Sequence, residues 1–288
     1  MNRYNQIEEQ ADLGFAPDSS FPLTYAEKGL LQVKLHGPGW DDLPLQAGQA
    51  LNVVPDKATY AGHRLEELLP VLDQSGVQYS QTEDSVTVLG VSKHSKDAAE
   101  GVNAIVGLAE SLSLIQPHPA LLFIADAVGE DATGEALFGR ITDEPSGDLS
   151  FNLATLVIDQ EQSEIGIDIR IPVLADKDAL VARLQEIAAS YQLEYEEFDY
   201  LAPLYVPLDS PLVSSLMAVY QEETGDKTPA MSSGGATFAR TMENCVAFGA
   251  LFPSAEQTEH QANERAKIED LYAAMEIYRE AIQRLATT

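Results

Sequence analysis

The stretch 231–264 holds most of the chemical information in the chain. It reads MSSGGATFAR (231–240), then NCVAFGALFP (244–253), then TEHQANE (258–264). The paired glycines Gly234 and Gly235, followed by Thr237 and Arg240, predict a turn opening a short helix. Free backbone N–H groups and a guanidinium there can hold a carboxylate. Between the apolar run Val246–Phe252 and a helix starting near Ile268 stands His260, in a polar loop. That place suits a metal ligand, although a lone histidine is more often a surface residue. The closing helix, Ile268 to Leu285, carries apolar residues at 268, 271, 275, 278, 282 and 285. This 3.6-residue period predicts core packing.

Outward from this stretch, 288 residues suffice for one large or two medium domains. The 46 acidic residues against 17 basic give a formal charge of −29. This argues against a nucleic-acid partner, which needs basic stripes. No run approaches the ~18 apolar residues of a membrane span, and MNRYNQIEEQ is too polar for a signal peptide, so a cytoplasmic setting is the default expectation. The single cysteine, Cys245, lies in an apolar run and reads as a small buried hydrophobe.

In chain order, residues 11–17 form a short apolar strand ending at Pro17–Asp18, a carboxylate at a sheet edge or simply a turn residue. Strands are expected at 22–26, 30–37 and 50–60, a helix at 63–75, strands at 77–80 and 85–90, and a long helix from Asp97 to Leu114. Residues 129–150 read as a surface connection. Strands at 151–158 and 164–172, a helix at 177–191 and a strand at 194–201 complete a second α/β unit. Pro211 to Thr224 is a helix closed by Gly225. The fold class is therefore α/β. The expected organisation is an α/β domain from residues 1–26 and 203–288, interrupted at 27–202 by a lid of two ferredoxin-like α/β units.

SGGATFAR and HQANE, together with FAPDSSFP, LNVVPDKA, GVSKHS and IDIRIP in that family's order, resemble the zinc metallopeptidases related to aminoacylase and carboxypeptidase G. Within that family the PepV-type and Xaa-His dipeptidases are the nearest in pattern. The resemblance implies two zinc ions activating a water against a peptide bond. It assigns Asp18 and His260 as metal ligands and Glu264 as the carboxylate orienting His260. His94 becomes the catalytic lid histidine facing the oxyanion. Asn52, Arg170, Gly234, Gly235 and Arg240 become substrate-binding, with Arg170 on the substrate carboxylate. His36, His63 and His118 match no motif and read as structural or exposed.

The resembled pattern also has ligands upstream of Asp18: a histidine in H-x-D, a bridging aspartate, and the second of two adjacent glutamates, whose neighbour is the general base. Glu8–Glu9 is rejected as that pair, because the pattern places it about two dozen residues before the Asp18 segment. The expectation is the C-terminal part of a longer, monomeric dipeptidase, inactive by itself. The alternatives are a non-catalytic binding module, or a parent that is a deacylase or desuccinylase of the same family.

Overall fold

The computed structural model describes residues 7–9, 11–258 and 262–287. The chain divides into two compact units, Met1–Lys28 with Ala202–Thr288, and Gly29–Leu201. Both combine sheets with helices, as the α/β reading expects.

Apart from four two-residue strands, the strands are β1 (Gly14–Ala16), β2 (Thr24–Glu27), β3 (Gly29–Pro38), β4 (Leu45–Ala47), β5 (Lys57–Tyr60), β6 (Tyr79–Gln81), β7 (Val86–Leu89), β8 (Ser150–Ile158), β9 (Gln162–Ile171), β10 (Glu194–Leu201), β11 (Leu204–Tyr205), β12 (Met231–Ser233) and β13 (Cys245–Ala247). The main helices are α1 (Leu65–Ser75), α2 (Ala104–Ser113), α3 (Lys177–Ser190), α4 (Pro211–Thr224) and α5 (Ile268–Leu285).

The second unit is built on one eight-stranded sheet in the order β10-β3-β9-β8-β4-β5-β7-β6, every neighbouring pair antiparallel. On β9, Ile165, Ile167, Ile169 and Ile171 face one way and join a single apolar core with Leu31, Val33 and Leu35 of β3 and with Leu72, Leu108, Leu112 and Leu184 of the helices. The alternate residues Asp168 and Arg170 point to the opposite face, as the strand period of two requires, yet they are buried as well.

A register shift between Leu153 and Thr155 marks a bulge in β8. Before it, Phe151 and Leu153 enter the core; after it, Leu156 and Ile158 do. The extra residue reverses the parity, and this leaves Ser150 and Asn152 on the polar face beside Arg170 and Asp168, their register partners.

Some expected elements are shorter or broken. Only Lys57–Tyr60 of 50–60 is strand. The helix expected from Asp97 to Leu114 is a 3₁₀ turn, Ser95–Glu100, followed by α2. The break falls where Asn103 caps α2, its side chain accepting from the Ile105 and Val106 amides. The 129–150 connection carries a one-turn helix, Glu135–Phe138, and a two-residue hairpin.

In the first unit, β13 lies between β1 and β2, and β2 also pairs with β11 and β12. Phe21 stacks on Tyr220 and meets Phe248 edge-on, forming an aromatic core. α4 begins at the Ser210 cap with Pro211 in its first turn and ends at Gly225 with φ +71°, so each boundary has a local cause.

The expected core stripe of α5 is corrected. Ile268, Leu271, Met275 and Ile282 are exposed, and the buried face is Ala274, Ile277 and Ala281. Small residues there allow close approach to α4, which Arg284 also reaches by an ion pair to Glu222 at 2.6 Å. No described helix is long and apolar enough to cross a membrane.

Candidate functional site

Two clusters of polar residues carry the geometry, one in each unit. In the first unit, the chain leaves β12 through Gly234 and Gly235 and enters a one-turn 3₁₀ helix, Phe238–Thr241, capped by Thr237. The expectation that this turn and Arg240 hold a carboxylate is met by the chain itself. Glu27, fully buried at the end of β2, accepts from the Thr237 amide and hydroxyl and from Nε and Nη2 of Arg240, at 3.0 and 2.5 Å and at 3.1 and 3.0 Å.

Arg240 also donates to the carbonyls of Ala202, Lys28 and Gly235. With Glu27 it braces the glycine turn. The Gly235 amide is likewise turned inward, to Ser233 Oγ at 2.9 Å. Sequence reasoning passed over Glu27, whose only signal was a glutamate closing an apolar strand.

Asp18 is exposed, and its Oδ2 accepts from the Phe238 amide at 3.1 Å. His260 lies outside the described residues. Glu264 is exposed. Among the described residues no group of three or more His, Cys, Asp or Glu could hold a metal ion. Of the two expected ligands the described residues therefore include one, the Asp18 carboxylate, with one oxygen already bonded.

Cys245 is buried beside this turn, and burial, with a smaller push from the Glu27 charge, raises its thiol pKa to about 11. The folded value exceeds the unfolded one, near 9, so the thiol's contribution to stability is complete below pH 9 and is lost as pH rises toward 11. The loss reaches about 2–3 kcal/mol. Unfolding free energies from denaturant titrations at pH 7.5 and 10.5 are expected to separate by about 2 kcal/mol more in the native sequence than in Cys245→Ala, which removes this group and leaves the tyrosines. Equal separations in both would contradict the account.

In the second unit the structure brings three of the expected residues together around Ser95. Arg170 and Asp168 form a bidentate ion pair, Nε to Oδ1 at 2.6 Å and Nη2 to Oδ2 at 3.1 Å, with 3% and 0% of their surfaces exposed. Gln32 donates to Asp168 Oδ2 at 2.8 Å. Arg170 Nη2 also donates to Ser95 Oγ at 3.0 Å. The Ser95 amide bonds the Asn52 carbonyl, and the Val54 amide bonds the Lys93 carbonyl, so the loops of Asn52 and His94 lie side by side. Asn152 Nδ2 holds that first loop by the carbonyls of Leu51 and Val53, both at 3.0 Å.

His94 Nδ1 accepts from the Lys96 amide at 3.2 Å. The neutral ring thus carries its proton on Nε2. Although solvent reaches the ring, desolvation first, then the charges of Arg170 and Lys96, hold its pKa below the ordinary histidine value. Asn52 is exposed as well. Asp168 was readable from sequence, since I-D-I-R-I puts it on the same strand face as Arg170. Ser95, Ser150 and Asn152 gave no such signal.

Of the unassigned histidines, His118 is buried and caps a helical turn, Nδ1 accepting from Ala120 and Nε2 meeting the Pro38 carbonyl. His36 Nε2 lies 2.7 Å from Glu196.

The family model "Peptidase family M20/M25/M40" matches residues 17–284. "Putative dipeptidase YtjP" of Bacillus subtilis (strain 168) is 33% identical over 309 aligned positions, covering 99% of this chain and 66% of that protein. "Putative dipeptidase SH1171" of Staphylococcus haemolyticus (strain JCSC1435) is 30% identical, covering 98% and 66%. The chain thus spans 66% of the length of these curated relatives. Among solved structures, aminoacylhistidine dipeptidase from Vibrio alginolyticus superposes with TM-score 0.53 at 11% identity, covering 95% of this chain and 66% of that one. The M20 family metallo-carboxypeptidase Sso-CP2 from Sulfolobus solfataricus gives 0.50 at 14%, covering 98% and 65%. At these identities the likeness concerns the fold alone.

Proposed function

The chain belongs to peptidase family M20/M25/M40, and from that membership we propose that it is the part of a cytoplasmic, monomeric, zinc-dependent dipeptidase that supplies the substrate-binding groups and two metal ligands. The observation that carries this reading is the convergence of Asn52, His94 and Arg170 on Ser95 within the second unit. The names of the two curated relatives, each printed as "Putative dipeptidase", support the substrate class.

In this reading the second unit is the lid. His94 offers its Nε2–H to the oxygen that gains charge as the peptide carbonyl is attacked. Holding its pKa low keeps the ring a neutral, single-proton donor at pH 7. A preorganised donor of this kind contributes about 3–4 kcal/mol to a transition state. Asn52 adds an amide on the same rim. Arg170 is the group that the family resemblance assigns to the substrate's terminal carboxylate, and in the first unit Arg240 and Glu27 brace the turn of Gly234 and Gly235. Asp18 and His260 are the metal ligands, and Glu264 orients His260. When bound, zinc would supply the activated water and polarise the carbonyl.

Two ligands do not close a two-metal site, so these 288 residues alone are expected to hydrolyse dipeptides no faster than zinc in buffer. Clear turnover abolished by His260→Ala would overturn that. Carboxylate recognition is tested separately by calorimetric titration with a dipeptide and its C-terminal amide. The free acid is expected to bind about tenfold or more tightly, the worth of one charge-assisted hydrogen bond, with the preference gone in Arg170→Gln. Equal binding of acid and amide would sink this assignment.

A further inference from the structure

We propose that Asp168 is a positioning residue for His94: through Arg170 it clamps Ser95, and so fixes the place and the tautomer of the neighbouring imidazole. Asp168 touches nothing in the reading above that would be substrate. Its two oxygens instead take both Nε and Nη2 of Arg170, and Gln32 on β3 secures Oδ2 from the other side.

A guanidinium held by two parallel bonds to a buried carboxylate has one orientation. In that orientation Nη2 reaches Ser95 Oγ. Ser95 is itself fully buried and anchored twice more, its amide on the Asn52 carbonyl and its carbonyl accepting from Ser150 Oγ. On the other side of His94, Lys93 is tied by its carbonyl to the Val54 amide. His94 therefore stands between two pinned residues, and the Lys96 amide meets Nδ1 because the 3₁₀ turn starts where Ser95 is held.

Among the described residues, the charged groups that act on the ring are Arg170 and Asp168 from β9 and Lys96 and Asp97 from its own turn. The pair thus acts on His94 in two ways, as a mechanical clamp and as opposed charges. A support that merely kept the loop folded would act in only the first way.

The inference builds on the reading of His94 as a functional donor, but its test needs no turnover, so either can fail while the other stands. Nitrogen-15 NMR of the histidine rings in the 288-residue chain, with His94 assigned by His94→Gln, reads both tautomer and titration midpoint. Asp168→Asn is expected to lower the His94 midpoint and Arg170→Gln to raise it. Ser95→Ala keeps both charges and cuts the clamp, so the ratio of Nε2–H to Nδ1–H should fall by about fivefold, the worth of one net hydrogen bond. Midpoints moving the same way in both charge variants, as a loosened loop would give, overturn the proposal. So does a native tautomer ratio in Ser95→Ala, which decides the matter by itself if either charge variant fails to fold.

Discussion

Glu27→Ala is expected to destabilise the first unit by about 3–5 kcal/mol, because it leaves the Arg240 guanidinium buried without its counter-charge. Glu27 and the Arg240 side chain are 0% and 6% exposed and lie 3.0 Å apart, so solvent screening removes little of this effect. The same carboxylate satisfies the Thr237 amide and hydroxyl, and losing it also releases the entry to the 3₁₀ turn. Urea unfolding followed by far-ultraviolet circular dichroism measures the loss. Trp40, the one tryptophan, lies in the second unit, so its emission separates loss of that unit from loss of the first. The double variant Glu27→Ala/Arg240→Met should recover a good part of the stability, since removing both charges is far less costly than removing one. A single variant within 1 kcal/mol of the native chain would show that this pair does not brace the turn.

The second large effect is expected at Gly48. Its φ is +79°, and a Cβ there would lie 2.0 Å from the carbonyl oxygen of Ala154, the residue at the β8 bulge. Gly48→Ala therefore combines a left-handed backbone cost of about 1–2 kcal/mol with an overlap cost of about 1–3 kcal/mol. Gly76 is the internal control. It has φ +76° at the end of α1, with nothing within 4 Å of a built Cβ, so Gly76→Ala should show the backbone cost alone. Denaturant midpoints followed by Trp40 emission give both values. Equal losses at the two positions would mean that the bulge does not crowd Gly48.

What the sequence made legible is what short-range rules govern. α4 begins and ends where its Ser210 cap and Gly225 place it, and the strands β9 and β10 fall within a residue or two of the expected 164–172 and 194–201. Arg170 was visible because an arginine inside an apolar strand must find an anion, and Asp168 two residues away is that anion. Glu27 and Arg240 were not readable as partners, since 213 positions separate them and nothing local marks either as buried.

The apolar stripe of α5 misled for a different reason. Hydrophobic periodicity gives alanine little weight, whereas packing favours the face where Ala274 and Ala281 permit close contact. Likewise, the run from Asp97 to Leu114 read as one helix because the cap at Asn103 resembles any other polar position. In the candidate site, Asn52, His94 and Arg170 were singled out through motif resemblance. The hydroxyls of Ser95 and Ser150 that gather them carry no pattern that distinguishes them from other serines.

The bulge in β8 lets a single strand obey two inside-outside codes in succession. Ser150 and Asn152 can therefore be exchanged for other hydrogen-bonding groups without disturbing the volume that Leu156 and Ile158 must fill, whereas deleting one residue at 154 would set the two halves against each other. A redesign of this strand's polar face should thus vary Ser150 and Asn152, keep Phe151 between them, and leave the length of the strand untouched.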